Sequence, residues 1–172
     1  MAILTADMKR VISEQRLGFY ATVDSDGSPN LSPKGTTYVL DDDRLLFADI
    51  RSPKTVANIR RGSSVEVNVV DPFVRKGYRF KGRGAVHGPA TALYDEGLRR
   101  LREGGSTLAH RVKAIVVIEV LEARPVVSPA YDDGAVTEAE MVQTFRRRFQ
   151  ELHSGTPPTQ RRPRRPRGRS AR

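Results

Sequence analysis

The sequence predicts a mainly β domain, a small antiparallel barrel with peripheral helices. Three observations carry that prediction. Turn signals at residues 24–29 and 41–43 follow one another closely, and parallel neighbours would need a much longer crossover. The strand-like stretches are mostly consecutive instead of alternating with helices, which disfavours a doubly wound sheet. A long apolar stretch at 114–127, centred on Ile115-Val-Val-Ile-Glu-Val-Leu121, supplies a strand able to cross the whole domain.

Taken in order, Thr5 caps a helix to about residue 16, with Met8, Val11 and Ile12 on one face. Residues 17–23 are β-prone, and Asp24-Ser-Asp-Gly-Ser-Pro29 turns the chain. Residues 30–40 read as the returning strand, and the acidic turn at 41–43 leads to a third strand over 44–50. The two hairpins predict a meander. Ser52-Pro53 opens a short helix to about residue 61, because Ser suits the cap and Pro the first helical position. Val65, Val67 and Val69 alternate with polar residues in a strand over 64–70. A loop at 71–77 precedes a strand over 78–88. Tyr94, Leu98 and Leu101 mark a helix over 91–103 that Gly104-Gly105 ends. After the strand at 114–127 and an irregular stretch, Met141, Phe145, Phe149 and Leu152 align on a helix over 137–152. The expectation is six strands and four helices, with no internal repeat.

The 172 residues carry 30 Lys+Arg against 20 Asp+Glu, a formal net charge of +10. Residues 155–172 hold seven arginines and no acid, leaving 23 basic and 20 acidic groups in residues 1–154. The basic excess therefore belongs mostly to an Arg/Pro-rich tail, which cannot bury apolar area and is expected to be disordered. Residues 1–154 are enough for one domain with a real core. The absence of cysteine excludes disulfides, thiolate zinc sites, iron–sulfur clusters and cysteine nucleophiles, and fits a reducing compartment. No apolar run approaches the roughly 20 residues of a membrane span, and no signal-peptide pattern opens the chain. The expectation is a soluble cytoplasmic protein with no membrane association.

Three segments are candidates for chemistry. Helix N-termini expose unpaired N–H groups and attract anions, and Arg51, Ser52, Lys54 and Thr55 surround such an end. The competing reading is a capped surface helix with incidental basic residues. In Ser32-Pro33-Lys34-Gly35-Thr36, alternation puts Ser32, Lys34 and Thr36 on one face, while Pro and Gly weaken strand pairing and leave room for a planar ligand. The alternative is a bulged edge strand. Arg79, Lys81 and Arg83 line one face of a strand opposite Tyr78 and Phe80, and like charges so placed call for solvent or an anion. Together they imply a ligand with a phosphate and a flat polar body.

Other signals fail. The stretch Gly82-Arg-Gly84-Ala-Val-His-Gly88 lacks dinucleotide-fingerprint spacing. His87, His110 and His153 form no pair at metal-ligand spacing, so no metal site is expected. No Gly-x-Ser-x-Gly elbow and no paired carboxylates are present, so the catalytic residues stay unassigned. An enzyme of this kind would draw its reactivity from a cofactor.

The order LGFYATVDSDGSPNLSPKGTTYVLDDDRLLFADIRSPKTVANIRRGSSVEVNVVDPFVRKGYRFKGRGAVH, residues 17–87, resembles the pyridoxamine 5′-phosphate oxidase-like family of flavin-binding split-barrel proteins. The carrying features are the TVDSDGSPNLSPKG hairpin, the FADIRSPKTVANI strand-to-helix corner, and the YRFKGRG strand after VNVVD. The resemblance runs over residues 6–127, is weaker through 137–152 and is absent from the tail. It implies a six-stranded antiparallel Greek-key split barrel and a homodimer with two FMN molecules at the subunit interface. Arg51, Ser52, Lys54 and Thr55 look like the FMN phosphate site; Ser32, Pro33, Lys34, Gly35 and Thr36 look like the strand along the ribityl chain and ring edge. Asn58, Arg79 and Lys81 look like further flavin or phosphate contacts.

The resemblance thus implies an FMN-dependent oxidoreductase acting on a small-molecule substrate, with a nicotinamide electron donor. The C-terminal segment with which the true oxidase binds pyridoxamine phosphate is not found. Related readings are a deazaflavin (F420) dependent reductase and a non-catalytic flavin-binding protein; haem handling, also known in the family, lacks a placeable histidine. Nucleic acid enters only through the Arg-rich tail, whose seven arginines would attract phosphate backbones without stacking bases.

Overall fold

The structure is a computed structural model and describes residues 2–155. The tail expected to be disordered lies, from residue 156 onward, outside the described residues. The chain forms α1 (Ala6–Gln15), β1 (Gly18–Val23), β2 (Pro29–Lys34), β3 (Tyr38–Val39), β4 (Arg44–Asp49), α2 (Pro53–Arg60), β5 (Ser64–Asp71), β6 (Lys76–His87), α3 (Ala92–Glu103), β7 (Ala114–Val127) and α4 (Glu138–His153). Helix starts follow the expected chemistry: Thr5, Thr91 and Thr137 each accept a first-turn N–H, and Thr137 with Glu140 completes a capping box.

All strand pairs are antiparallel, and the sheet order is β2-β1-β5-β6-β7-β4-β3. The mainly β antiparallel class with peripheral helices is as expected. Two details differ: there are seven strands instead of six, and the expected meander does not form. The stretch 30–40 breaks at residues 35–37, so its two ends serve different hairpins, β1–β2 and β3–β4, at opposite ends of the sheet order. The break has a local cause. Pro33 has no N–H to give a ladder, and threonine hydroxyls take over the pairing. Thr36 Oγ1 accepts the Ala48 N–H at 3.0 Å, and Thr37 Oγ1 donates to the Lys34 carbonyl at 3.1 Å.

The two outermost strands of the order, β2 and β3, are consecutive in sequence with three residues between them. The sheet must therefore curl until its edges nearly meet, and the break at 35–37 is the seam of a split barrel. Inside the curl lie Tyr20, Phe47, Val67, Phe80 and Ile118, all inaccessible to solvent. A second apolar layer, with Leu46, Leu101 and Ile115, lies beneath α3. Alternate residues of β4 and β7 serve the two layers: Leu45, Phe47, Val116 and Ile118 face the barrel, while Leu46, Ala48, Ile115 and Val117 face α3. That double burial is why both strands read as continuous apolar runs. Gly97 lets α3 approach closely, since a Cβ there would sit 2.5 Å from Ile115 Cγ1.

Candidate functional site

A groove of about 430 Å³ opens at the seam. Its walls bring together Pro33, Lys34, Gly35 and Thr36 with Arg51 and Ser52 from the corner after β4. Two segments picked out separately in the sequence therefore meet, because β2 ends and α2 begins on either side of the same gap. Gly35 borders open space: a Cβ there would meet nothing within 4 Å.

Lys34 dominates the groove chemically. The side chain follows Asn30 and Ser32 along the inner face of β2, and the residue is only 6% exposed. Its ammonium donates to Ser32 Oγ and lies 5.5 Å from the centroid of the Phe47 ring. Burial lowers its pKa, and the nearby Asp49 carboxylate partly opposes that. No ion pair forms between Lys34 and any described residue. Asp49, also buried, is engaged elsewhere: its Oδ1 accepts the Ser52 N–H at 3.0 Å. A buried ammonium without a carboxylate in contact is unusual, because buried charges are normally paired.

The corner differs in one respect from a simple capped helix. Ser52 is buried but makes no side-chain bond to the first turn of α2, so that turn keeps its N–H groups uncapped. Arg51 is exposed at the rim. Lys54, also exposed, leans away from the groove toward the β1–β2 turn, with its ammonium 3.6 Å from Asp24 Oδ2. Thr55 and Asn58 lie beneath the corner in a closed polar network. Asn30 Nδ2 donates to Thr22 Oγ1 at 3.0 Å and to Thr55 Oγ1 at 3.3 Å. Asn58 Nδ2 donates to Thr22 Oγ1 at 3.0 Å and Asp24 Oδ1 at 2.7 Å, and its Oδ1 accepts from Arg61. This network ties α2 to β1 and β2 and fixes the corner relative to the seam.

Arg79 and Lys81 are not brought to the groove. They stand on the outer face of the sheet, where Glu66 relieves their repulsion, at 3.1 Å from Arg79 and 3.9 Å from Lys81. Across that face, register aligns Pro33, Phe19, Asn68 and Arg79 in one row and Leu31, Ala21, Glu66 and Lys81 in the next. Phe19, Val23, Leu31 and Leu121 are large exposed apolar side chains, with Leu31 at 66%. On the same face Asn68 Oδ1 is buried without a donor among the described residues.

Sequence reasoning missed part of the groove wall. Arg16 reaches it from the end of α1 in a left-handed conformation, φ 54°. Its guanidinium donates to the Gly104 carbonyl at 2.8 Å and covers the Tyr38 ring at 5.4 Å from the centroid. The turn after α3, with Gly104, Gly105 and Ser106, closes the far side. No local pattern announces these residues; beside the groove, Asp49 alone had a signal, as the one acid in the apolar run over residues 45–50. A larger groove of about 690 Å³ near Arg83 and His87 is less suited to a ligand. Its three aspartates are already engaged: Asp41 pairs with Arg44, Asp42 with Lys9, and Asp43 Oδ1 accepts the Ile3 N–H at 2.7 Å. No cluster of potential metal ligands exists among the described residues, and none of their helices is long and apolar enough to cross a membrane.

Comparison with known proteins matches this architecture. HupZ of Group A Streptococcus is 30% identical, with a TM-score of 0.63, covering 72% of this chain and 94% of that one. A putative pyridoxamine 5′-phosphate oxidase from Lactobacillus delbrueckii is 24% identical, TM-score 0.60, covering 72% and 95%. An FMN-binding protein from Syntrophomonas wolfei shares the fold at 19% identity and a TM-score of 0.62, covering 73% and 87%. A search of curated proteins gave no match. The family model for pyridoxamine 5′-phosphate oxidase matches residues 4–127, from just before α1 through the end of β7, and the chain therefore belongs to the pyridoxamine 5′-phosphate oxidase family.

Proposed function

We propose that the seam groove binds FMN and that the protein is an FMN-dependent oxidoreductase working as a homodimer. The observation that carries this reading is the buried Lys34 ammonium, which has no ion-pair partner among the described residues and shares the groove with the uncapped start of α2. An anionic ligand with a flat body supplies what both features lack. Arg51, Ser52, Lys54 and Thr55 hold the phosphate; Lys54 must first leave the exposed Asp24 contact, which is weak. Ser32, Pro33, Lys34, Gly35 and Thr36 line the ribityl chain and ring edge, with Lys34 holding negative charge there. Asn58 acts through the corner it buttresses. Bound FMN supplies the hydride- or electron-accepting ring; the protein positions it and excludes water.

The dimer is supported by the apolar outer face and by Asn68 Oδ1, whose missing donor a second copy can provide. Arg79 and Lys81 reach a flavin only across such an interface. A nicotinamide donor and a small-molecule substrate complete the reading. The F420 alternative uses the same anion site, and the absence of histidine from the groove disfavours haem. Protein purified from its host should be yellow and release FMN; released F420 would redirect the assignment. Steady-state oxidation of NADH or NADPH with an acceptor separates an enzyme from a flavin-storing protein. Ser52→Ala combined with Lys54→Ala should weaken FMN far more than riboflavin, and equal losses for both would refute the phosphate assignment.

A further inference from the structure

We propose that the seam groove takes a carboxylate-bearing substrate and that Arg16 grips its carboxylate; calling that ligand a substrate rests on the flavin reading above. The groove lining holds three cations, Arg16, Lys34 and Arg51, and among the described residues no Asp or Glu shares it. In the flavin reading the phosphate occupies Arg51 and the ring edge occupies Lys34. Arg16 is the cation left over. It stands on a different wall, formed by the end of α1 and the turn after α3. Other arginines of the fold are neutralised: Arg10 by Asp7 and Glu14, Arg44 by Asp41, and Arg99 by Glu96 and Glu103. Glu14, the acid nearest to Arg16 in sequence, is therefore spent. Arg16 forms no ion pair with any described residue.

The residue is held in place at both its backbone and its side chain. Arg16 ends α1 in the left-handed region, φ 54°, where glycine usually stands because a Cβ is disfavoured there. Its carbonyl accepts the Thr37 N–H at 3.1 Å, which fixes it against the break at 35–37. The guanidinium lies over Tyr38 and donates from Nη1 to the Gly104 carbonyl at 2.8 Å. Nε makes only a long bond, 3.4 Å to the Ser13 carbonyl, and Nη2 makes none among the described residues. An oriented guanidinium with unspent donors, in a groove without acids, calls for an anion. A carboxylate suits it better than a phosphate. A guanidinium offers a carboxylate two parallel bonds. A phosphate dianion needs the further donors that the corner supplies, and Arg16's wall adds no second cation. That wall also holds the C-terminal end of α3, whose carbonyls carry partial negative charge and oppose a dianion more than a monoanion. Tyr38, Ile50 and Leu108 give the body of the ligand an aromatic and apolar surface.

The test is calorimetry on the FMN-loaded full chain with benzoate, its uncharged counterpart benzamide, and phenyl phosphate. Benzoate should bind, benzamide should bind roughly tenfold more weakly, and phenyl phosphate should bind no more tightly than benzoate. Arg16→Gly suits the left-handed backbone, and Arg16→Gln keeps a neutral donor in place of the charge. Each should weaken benzoate by roughly tenfold and leave FMN affinity unaltered, with urea melts showing that both variants fold. Benzoate that fails to bind, or that binds wild type and variants equally, overturns the proposal. So does benzamide that matches benzoate, phenyl phosphate that binds more tightly, or an equal loss of FMN and benzoate on changing Arg16. A wild-type chain that takes up no FMN defeats the flavin reading alone. The same titrations on the flavin-free protein then decide whether Arg16 holds a carboxylate, by the same losses.

Discussion

At the scale of single residues, Lys34 puts stability and binding in opposition. Burial lowers its pKa below the ordinary lysine value, so its charged form is penalised in the empty fold. The sign follows directly: the penalty is present at neutral pH and is relieved as pH rises through the folded pKa toward the unfolded one. A phosphate- or ring-bearing anion reverses the preference by pairing with the ammonium. FMN affinity should therefore fall on the alkaline side, beginning at lower pH than an exposed lysine would give. Lys34→Met should raise the stability of the flavin-free protein, abolish that alkaline fall, and weaken FMN by about 1.5–3 kcal/mol, the range for a hydrogen bond to a charged group. Urea melts and flavin titrations against pH check both halves; a variant that lost stability and kept its affinity would contradict the assignment. The sequence marked Lys34 as a cation on the inner side of an interrupted strand. It did not show that Asp49, spent on the Ser52 N–H, leaves that cation without an ion pair.

At the scale of elements, α3 depends on one close contact and transmits it to the groove. A Cβ at Gly97 would press on Ile115 from 2.5 Å. Gly97→Val should cost about 1–3 kcal/mol from overpacking and displace the 104–106 turn that walls the groove, lowering flavin affinity as well. Gly88→Ala, which meets nothing within 4 Å, is the control and should stay within about 0.5 kcal/mol. Urea midpoints at constant slope read the difference. The elements were largely legible because their signals are local: threonine caps start three of the helices, and Ser52-Pro53 starts the fourth. Valine alternation likewise marks β5. The break at 35–37 was only half legible. Pro33 and Gly35 flagged a weakness, but the bond in which Thr36 Oγ1 accepts the Ala48 N–H reaches from the break into β4 and has no local signal. Strand order was not legible, since nothing local in β4 says that its partner is β7.

At the scale of the whole molecule, the exposed row on the outer sheet face predicts association. If the proposed dimer forms through this face, Leu31→Glu with Leu121→Glu should leave a monomer in sedimentation at micromolar concentration and weaken FMN in parallel. A wild-type protein that sediments as a monomer with FMN bound would exclude a shared site. The sheet order also dictates when the site can exist during synthesis. β7 alone links β6 to β4, with Ile115 and Val116 set against Ala48 and Phe47 on one side and His87 and Val86 on the other. On a ribosome, residues 2–113 can emerge as two hairpins and a partial sheet with nothing to hold β4 beside β6. A nascent chain arrested before residue 114 should therefore be unable to retain flavin, which would make capture of the proposed cofactor an event of the chain's final third.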